Sequence, residues 1–360
     1  MGISQPLTNM QKTLDQKLAA IHADPHGSNA FILADAKDAD MGFGITAPGP
    51  SHSPGRSPYK SLEDYRAQIR AIIEQGLVDV MLLSASNIEQ LAMKEKLFRH
   101  SKVTPAARAN DTTDIWIVRN SRYPGQLSRP FRSATIDHIK YGKLVDDYRA
   151  PHVGADLGLY SITFTNDVEL DLRALEKFRE FRLEAEKKRF RYFLEVFNPQ
   201  PAAEIAAADV GVFLNDHIIR ALAGVTSAGR PLFLKIPYNG PAALEEMAAY
   251  DPHLIVGILG GAAGTTLDAF QLLHDAKAHG ARVALFGRKI NLSEHPLLFV
   301  EMLHAIANGK LAPKEAVKLY HDGLAKARIK PARPIKDDLA LTQFNLSYGS
   351  AQKRSGTKRR

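Results

Sequence analysis

Two charged residues stand inside runs that are otherwise apolar or aromatic: Lys235 in PLFLKIPY and Glu195 in RYFLEVFNP. A lysine in such surroundings is expected to have a depressed pKa, which leaves neutral amine near neutral pH to attack a carbonyl carbon. A carboxyl group within its reach can carry the protons of carbinolamine formation, dehydration and hydrolysis. The competing interpretation is an ion pair kept for stability, and the desolvation cost of burying both charges argues against it. Asp35 and Lys37 in ILADAKD and Arg119 in DIWIVRN add further charges at the ends of candidate strands. The segments GILGGAAG and LFGRKIN bring Gly260, Gly261, Gly287 and Arg288. Backbone amides at glycine turns and helix N-termini suit a phosphate, and an arginine supplies a charge-assisted bond.

Other chemistries are narrowed by composition. The 360 residues include no Cys, so a thiolate nucleophile, a disulfide framework and a cysteine-ligated metal are excluded. The 13 histidines show no metal-ligand spacing, and His22, Asp24 and His26 (HADPH) precede the first strand, where a surface or capping role is expected. No metal and no cofactor is expected. The net charge of +8 owes five of its units to Lys353, Arg354, Lys358, Arg359 and Arg360, in a Gly- and Ser-containing stretch that is expected to be disordered. Nucleic acid is therefore not an expected partner. No run has the length of a signal peptide core or a membrane span, which leads to the expectation of a cytoplasmic protein.

To act together, these side chains must be carried to one end of a common framework. Short apolar runs at 31–35, 78–84, 114–119, 155–163, 191–197, 232–236, 254–259 and 282–286 read as eight strands. Between them lie helical signals. Ser61 with Asp64 forms a capping-box pattern ahead of the stripe Tyr65, Ile69, Ile72 and Ile73, and Gly76 stands at its C-terminal end. Asn87 and Gln90 repeat the capping pattern, the helix at 171–189 runs from acidic to basic, and Pro241, Pro296 and Pro313 each begin an apolar-periodic run. Eight strands alternating with helices in about 300 residues predict a (β/α)8 TIM barrel. The chain divides into an N-terminal helical extension (1–29), a single barrel domain (30–327) and a C-terminal extension with a basic tail (328–360). No GxGxxG turn follows Asp35, which argues against a doubly wound sheet. The long connections 41–60 and 120–151 follow strand ends and so belong to the catalytic face, as lids or binding loops.

Taken in order along the strands, acid, cation, Glu, Lys, GG and GR resemble the class I, Schiff-base-forming TIM-barrel aldolases. The similarity runs over residues 30–325. FLEVFNP, LFLKIPY, ILGGAAG and LFGRKIN are most similar to the branch with tagatose bisphosphate, sulfofructose phosphate and archaeal fructose bisphosphate aldolases. The resemblance implies that Lys235 forms the imine and Glu195 moves protons during its formation and breakdown. It further implies that Asp35 contacts a substrate hydroxyl or assists C–C cleavage, and that Gly260, Gly261, Gly287 and Arg288 hold a phosphate. Arg119 falls where some of these aldolases carry a cation. Strand four departs from the pattern: Leu159 stands nearest the position of the usual lysine, Thr163 and Phe164 end the strand, Tyr160 is expected on its other face, and Lys37 is a candidate substitute. The expected activity is metal-independent aldol cleavage or formation of a phosphorylated or similarly anionic ketose. A transaldolase or other Schiff-base lyase, and a non-catalytic sugar-phosphate-binding barrel, are the alternatives. The expected partner is a small sugar phosphate, and a homo-oligomer is expected, with the helix after residue 313 as a contact.

Overall fold

The structure, a computed structural model, describes residues 11–51, 57–261 and 264–342. Strands β1 (Ile32–Lys37), β2 (Val80–Leu83), β3 (Thr104–Arg108), β4 (Leu157–Thr163), β5 (Arg191–Phe197), β6 (Leu234–Lys235), β7 (Gly257–Leu259) and β8 (Val283–Phe286) pair in parallel in the order β6-β5-β4-β3-β2-β1-β8-β7. The ring closes between β6 and β7 through the Ile236–Ile258 bridge and the bonds from Leu234 N–H to Ile255 O (2.8 Å) and Ile236 N–H to Gly257 O (2.9 Å). Helices follow the strands, so the architecture is the expected (β/α)8 barrel.

Strand alternation sorts the side chains into two buried layers. Ile32, Ala34, Val80, Leu82, Ala106, Leu157, Leu159, Phe193, Phe233, Ile255, Val283 and Leu285 fill the barrel interior. Leu14, Leu18 and Ile21 of the helix Thr13–Ala23 join them and plug the N-terminal end. The residues of opposite parity, such as Leu33, Met81, Leu83, Leu194, Val196 and Leu234, pack outward against the helices. The interior below is therefore filled mostly by apolar side chains, and the charged groups gather in its uppermost layer.

Local signals set most of the helix boundaries. Ser61 and Asp64 cap the helix Leu62–Gln75 reciprocally, and Gly76 ends it at φ 68°. Pro241, Pro296 and Pro313 each occupy the first helical position, where a missing N–H costs nothing. The helix Val168–Lys187 starts earlier than its acidic run suggested, because the Asp167 side chain accepts from Leu170 N–H. Asn87 does not cap. Its amide is drawn to Asp40 (3.2 Å) and accepts from Arg66 Nε (2.9 Å), and the chain after it winds as a π-helix, Ile88–Lys94.

The third strand lies elsewhere than expected. It is Thr104–Arg108, whereas 114–119 is an irregular segment over the mouth of the barrel. TPAAR is a weak strand signal because it contains Pro105 and two small alanines. The site tolerates proline because Thr104 N–H faces β2, bonding Asp79 O, so Pro105 turns toward β4, where pairing begins only at Ala107. The alternation in DIWIVR is genuine, but it directs Ile115 and Ile117 into the pocket below rather than into a sheet.

The helix Pro313–Lys326 also departs from expectation. Ala316, Val317, Tyr320 and Leu324 are buried within this chain, so its apolar stripe is already covered. Beyond it, Ile335–Asp338 forms a short helix, and the basic tail falls outside the described residues. Among the described residues no helix is long and apolar enough to cross a membrane.

Candidate active site

The uppermost inward layer carries charged and polar side chains. Ser161, Glu195 and Lys235 are register partners on β4, β5 and β6, so all three project into the barrel at one level. Lys235 Nζ forms an ion pair with Glu195 Oε1. The other carboxylate oxygen, Oε2, accepts from Ser161 Oγ (2.7 Å) and from Arg108 Nη2 (3.4 Å). Arg108 Nη1 donates to the same serine hydroxyl at 3.0 Å, which directs the hydroxyl proton toward the glutamate. One oxygen of Glu195 is thus fixed and the other faces the amine. The expected apolar surroundings of Lys235 are corrected here: Leu234 and Ile236 point to the outer layer, and the amine itself meets a carboxylate.

Arg108 ends β3 and takes the strand-three position that Arg119 was expected to hold. Its Nε donates to Asp38 Oδ2 at 2.5 Å, and its guanidinium is buried between Asp38 and Glu195. Burial opposes its charge, but Asp38, Glu195 and Asp111 outweigh burial and hold it above the ordinary arginine value. Ser161 is locked from behind, since its N–H donates to Asn110 Oδ1 (2.6 Å) and its carbonyl accepts from Asn110 Nδ2 (2.8 Å). Arg119 is exposed in the roof and lies over the Tyr59 ring at 5.5 Å, where the two long connections meet.

Asp35 and Lys37 do not join this group. Ile32, Ala34 and Ala36 are the inward residues of β1, so Asp35 and Lys37 face the helices. They pair with each other at 2.8 Å and are both fully buried. Burial pushes the Asp35 carboxyl up and the Lys37 amine down, each opposed by the charge of its partner. The inward carboxylate of this region is Asp38, just past the strand.

A narrow cleft with a cavity volume of about 70 Å³ opens above this layer. It is lined by Gly260, Gly261, Gly287 and Arg288, by Asp38, Phe43, Arg108, Ile115, Ile117 and Phe197, and by Glu195 and Lys235, and the Arg288 guanidinium lies over the Phe43 ring at 5.6 Å. The two long connections form the roof and are tied by a bond from Ile117 N–H to Gly42 O (2.8 Å). Asp114 anchors the second of them by accepting from Thr163 Oγ1 on β4 and from Ser128 Oγ, both at 2.8 Å.

The glycines are required sterically. A Cβ at residue 260 would lie 2.2 Å from the Phe286 ring, and one at residue 287 would lie 2.6 Å from Ala36 O. The N-terminus of the long helix Thr266–Ala278, expected to help hold a phosphate, is occupied by this chain. Thr265 and Asp268 form a capping box, and Thr266 N–H donates to Asp338 Oδ1 at 2.8 Å. Lys289 Nζ holds the carbonyls of Gly264 (2.7 Å) and Thr265 (2.9 Å), and burial pushes its pKa down to about 8. Any anion on this side would therefore meet Gly261, Gly287 and Arg288 rather than the helix end.

His22 stacks on His253 at 5.8 Å and Asp24 accepts from Gly27 N–H at 2.8 Å, away from the cleft. Among the described residues no three His, Asp or Glu side chains are grouped to hold a metal.

Asp38, Arg108, Asn110 and Ser161 were missed in the sequence. Arg108 ends, and Asn110 follows, a strand hidden by proline, Ser161 is a small residue in an apolar strand, and Asp38 lies three residues past the acid that drew attention.

No protein-family model and no curated protein matches the sequence. Solved structures do share the fold. A fructose-bisphosphate aldolase from Slackia heliotrinireducens has a TM-score of 0.61 at 14% identity, covering 89% of this chain and 95% of that one. An archaeal fructose 1,6-bisphosphate aldolase has a TM-score of 0.57 at 13% identity, covering 81% and 99%. An archaeal aldolase whose catalytic lysine is bound to the carbinolamine intermediate of its substrate also has a TM-score of 0.57 at 13% identity, covering 81% and 100%. At these identities the likeness is one of fold.

Proposed function

We propose that the protein is a class I aldolase that cleaves or forms a C–C bond of a phosphorylated ketose through an imine on Lys235. The observation that carries this reading is the division of labour on Glu195: Oε2 is held by Ser161 and Arg108, while Oε1 meets the lysine amine. A carboxylate fixed in this way exchanges protons with the amine without reorienting. The archaeal aldolase trapped as a carbinolamine on its lysine shares this barrel and adds support.

The steps follow from the placement of the groups. The phosphate rests against Gly261, Gly287 and Arg288, with the ketone over Lys235. Glu195 takes a proton from the ammonium, the neutral amine adds to the carbonyl carbon, and a proton passes from the nitrogen of the adduct to its alkoxide oxygen to give the carbinolamine. Glu195 then returns the proton to the carbinolamine hydroxyl, which leaves as water. The resulting iminium withdraws the electron pair of the breaking C–C bond, while a base takes the proton from the hydroxyl of the departing carbon. The pocket carboxylates are Glu195 and Asp38. Asp38, which lines the cleft just past β1, is assigned this last role in place of Asp35. After the aldehyde leaves, protonation and hydrolysis of the enamine release the ketone and restore the amine.

The test is product analysis with ketose phosphates, with and without an added aldehyde acceptor. Release of free ketone phosphate without acceptor is expected for an aldolase, and strict dependence on acceptor would indicate a transaldolase. Activity that survives Lys235→Ala would overturn the imine altogether.

A further inference from the structure

We infer that the C-terminal extension belongs to the substrate site, with Asp338 and Thr342 as positioning residues that hold the turn after β7, a conclusion that rests on the aldolase reading of the same cleft. Gly260 and Gly261 leave β7 and line the cleft, and Thr266 opens the helix Thr266–Ala278. The start of the turn is pinned by the bond from Gly260 N–H to Leu285 O at 2.7 Å. Its far end is held from outside. Thr266 N–H donates to Asp338 Oδ1 and Thr265 Oγ1 to Ala340 O, both at 2.8 Å. Thr342 gives its N–H (2.8 Å) and its hydroxyl (2.6 Å) to Asp268, whose Oδ2 also accepts from Thr265 N–H at 2.7 Å.

These bonds reach across 72 to 75 positions of the chain, and they fall on a helix end where Thr265 and Asp268 already form a capping box. Local capping therefore does not call for them. Asp338 and Asp268 are both buried, and neither lines the cleft, so they act through the turn. Burial opposes the Asp338 charge, but its bonds to Thr266 N–H and His321 Nε2 (2.9 Å) outweigh burial and hold the carboxyl below its ordinary value. Buried charges are a poor source of net stability, and what these supply is a fixed place for the residues they bond. The place matters because the turn after β8 is tied to the same residues. Lys289, which directly follows Arg288, donates to the carbonyls of Gly264 (2.7 Å) and Thr265 (2.9 Å). The two glycine turns are thereby locked to one another. Without Asp338 or Thr342 the β7 turn is free to shift against the β8 turn. A phosphate gripped by both turns registers that shift, whereas a ketone without a phosphate does not.

The experiment measures the rate of borohydride-trapped adduct formation on Lys235 per unit ketone concentration, for dihydroxyacetone phosphate and for dihydroxyacetone, in the full-length wild type and in Asp338→Ala. The substitution is expected to lower the value for the phosphate ester by about tenfold and to change that for the free ketone by less than about twofold. A fall shared equally by the two ketones, or no fall with the phosphate ester, would overturn the positioning role and leave the aldolase reading standing. Absence of any adduct on Lys235 in the wild type would overturn the aldolase reading and the inference with it. If Asp338→Ala fails to fold, Thr342→Val, which removes the hydroxyl bond to Asp268, makes the same test with an expected fall of about threefold for the phosphate ester alone.

Discussion

Two buried lysine–carboxylate pairs lie on the strands of this barrel, and they differ in what they can do. Lys235 with Glu195 bridges β6 and β5, faces inward, and lines a cleft. Lys37 with Asp35 lies on one strand, faces the helices, and is fully enclosed. Residue type, burial and strand position are alike. What separates them is parity: an inward side chain at the C-terminal end meets the cleft, and an outward one is enclosed between the sheet and the helices. Chemistry in a barrel belongs to position in the alternation as much as to composition.

The sharpest way to break this comparison is substitution within the inward pair. Lys235→Ala should lower kcat by about 10⁴-fold or more while the protein stays folded, measured by steady-state kinetics beside circular dichroism. Glu195→Gln should cost about 10²- to 10⁴-fold, because the amine and the carbinolamine lose their proton carrier. For the outward pair the expected effect is on stability. Asp35→Asn strands the Lys37 ammonium and should cost about 3–5 kcal/mol in denaturant unfolding, with any aldolase kcat of the folded protein changed by less than about threefold. The joint replacement Asp35→Leu with Lys37→Met should recover most of that loss. A large fall in kcat without loss of stability would place Asp35 back in the chemistry.

Smaller effects sharpen the picture of the inward layer. Ser161→Ala frees Glu195 Oε2 and should lower kcat by about tenfold with KM little changed, while Ser161→Thr should restore most of it. A purely structural serine would instead change stability and leave kcat alone. The smallest effect concerns Lys289, which is pushed down to about 8 in the fold from 10.5. Between those values the unfolded chain binds the extra proton, so this lysine makes the fold gain stability as pH rises. Compared with Lys289→Met, the wild type should therefore show its denaturation midpoint climbing between pH 8 and 10. A constant difference between the two proteins would contradict that assignment.

The legibility of the sequence varied with how local the determining physics was. Caps and helix starts at Ser61, Asp64, Gly76 and the three prolines depend on neighbours within one turn, so they could be read directly. The Asn87 pattern failed because two distant groups, Asp40 and Arg66, claim its side chain. Lys235 and Glu195 stood out as charges framed by apolar residues. Asp35 stood out for the same reason and was misplaced, because the alternation in ADAK shows that Asp35 and Lys37 share a face but not whether that face looks into the barrel or toward the helices. Arg108 was hidden by the weak strand TPAAR, and DIWIVR mimicked a strand because a roof segment that aims every second residue at a cleft has the same period.

The most direct test of the central claim is borohydride reduction in the presence of dihydroxyacetone phosphate, followed by peptide mapping of the reduced adduct. The account predicts one stable adduct, on Lys235, that is absent in Lys235→Ala and undiminished in Lys37→Met. An adduct on Lys37, or none on any lysine while the enzyme turns over, would contradict it.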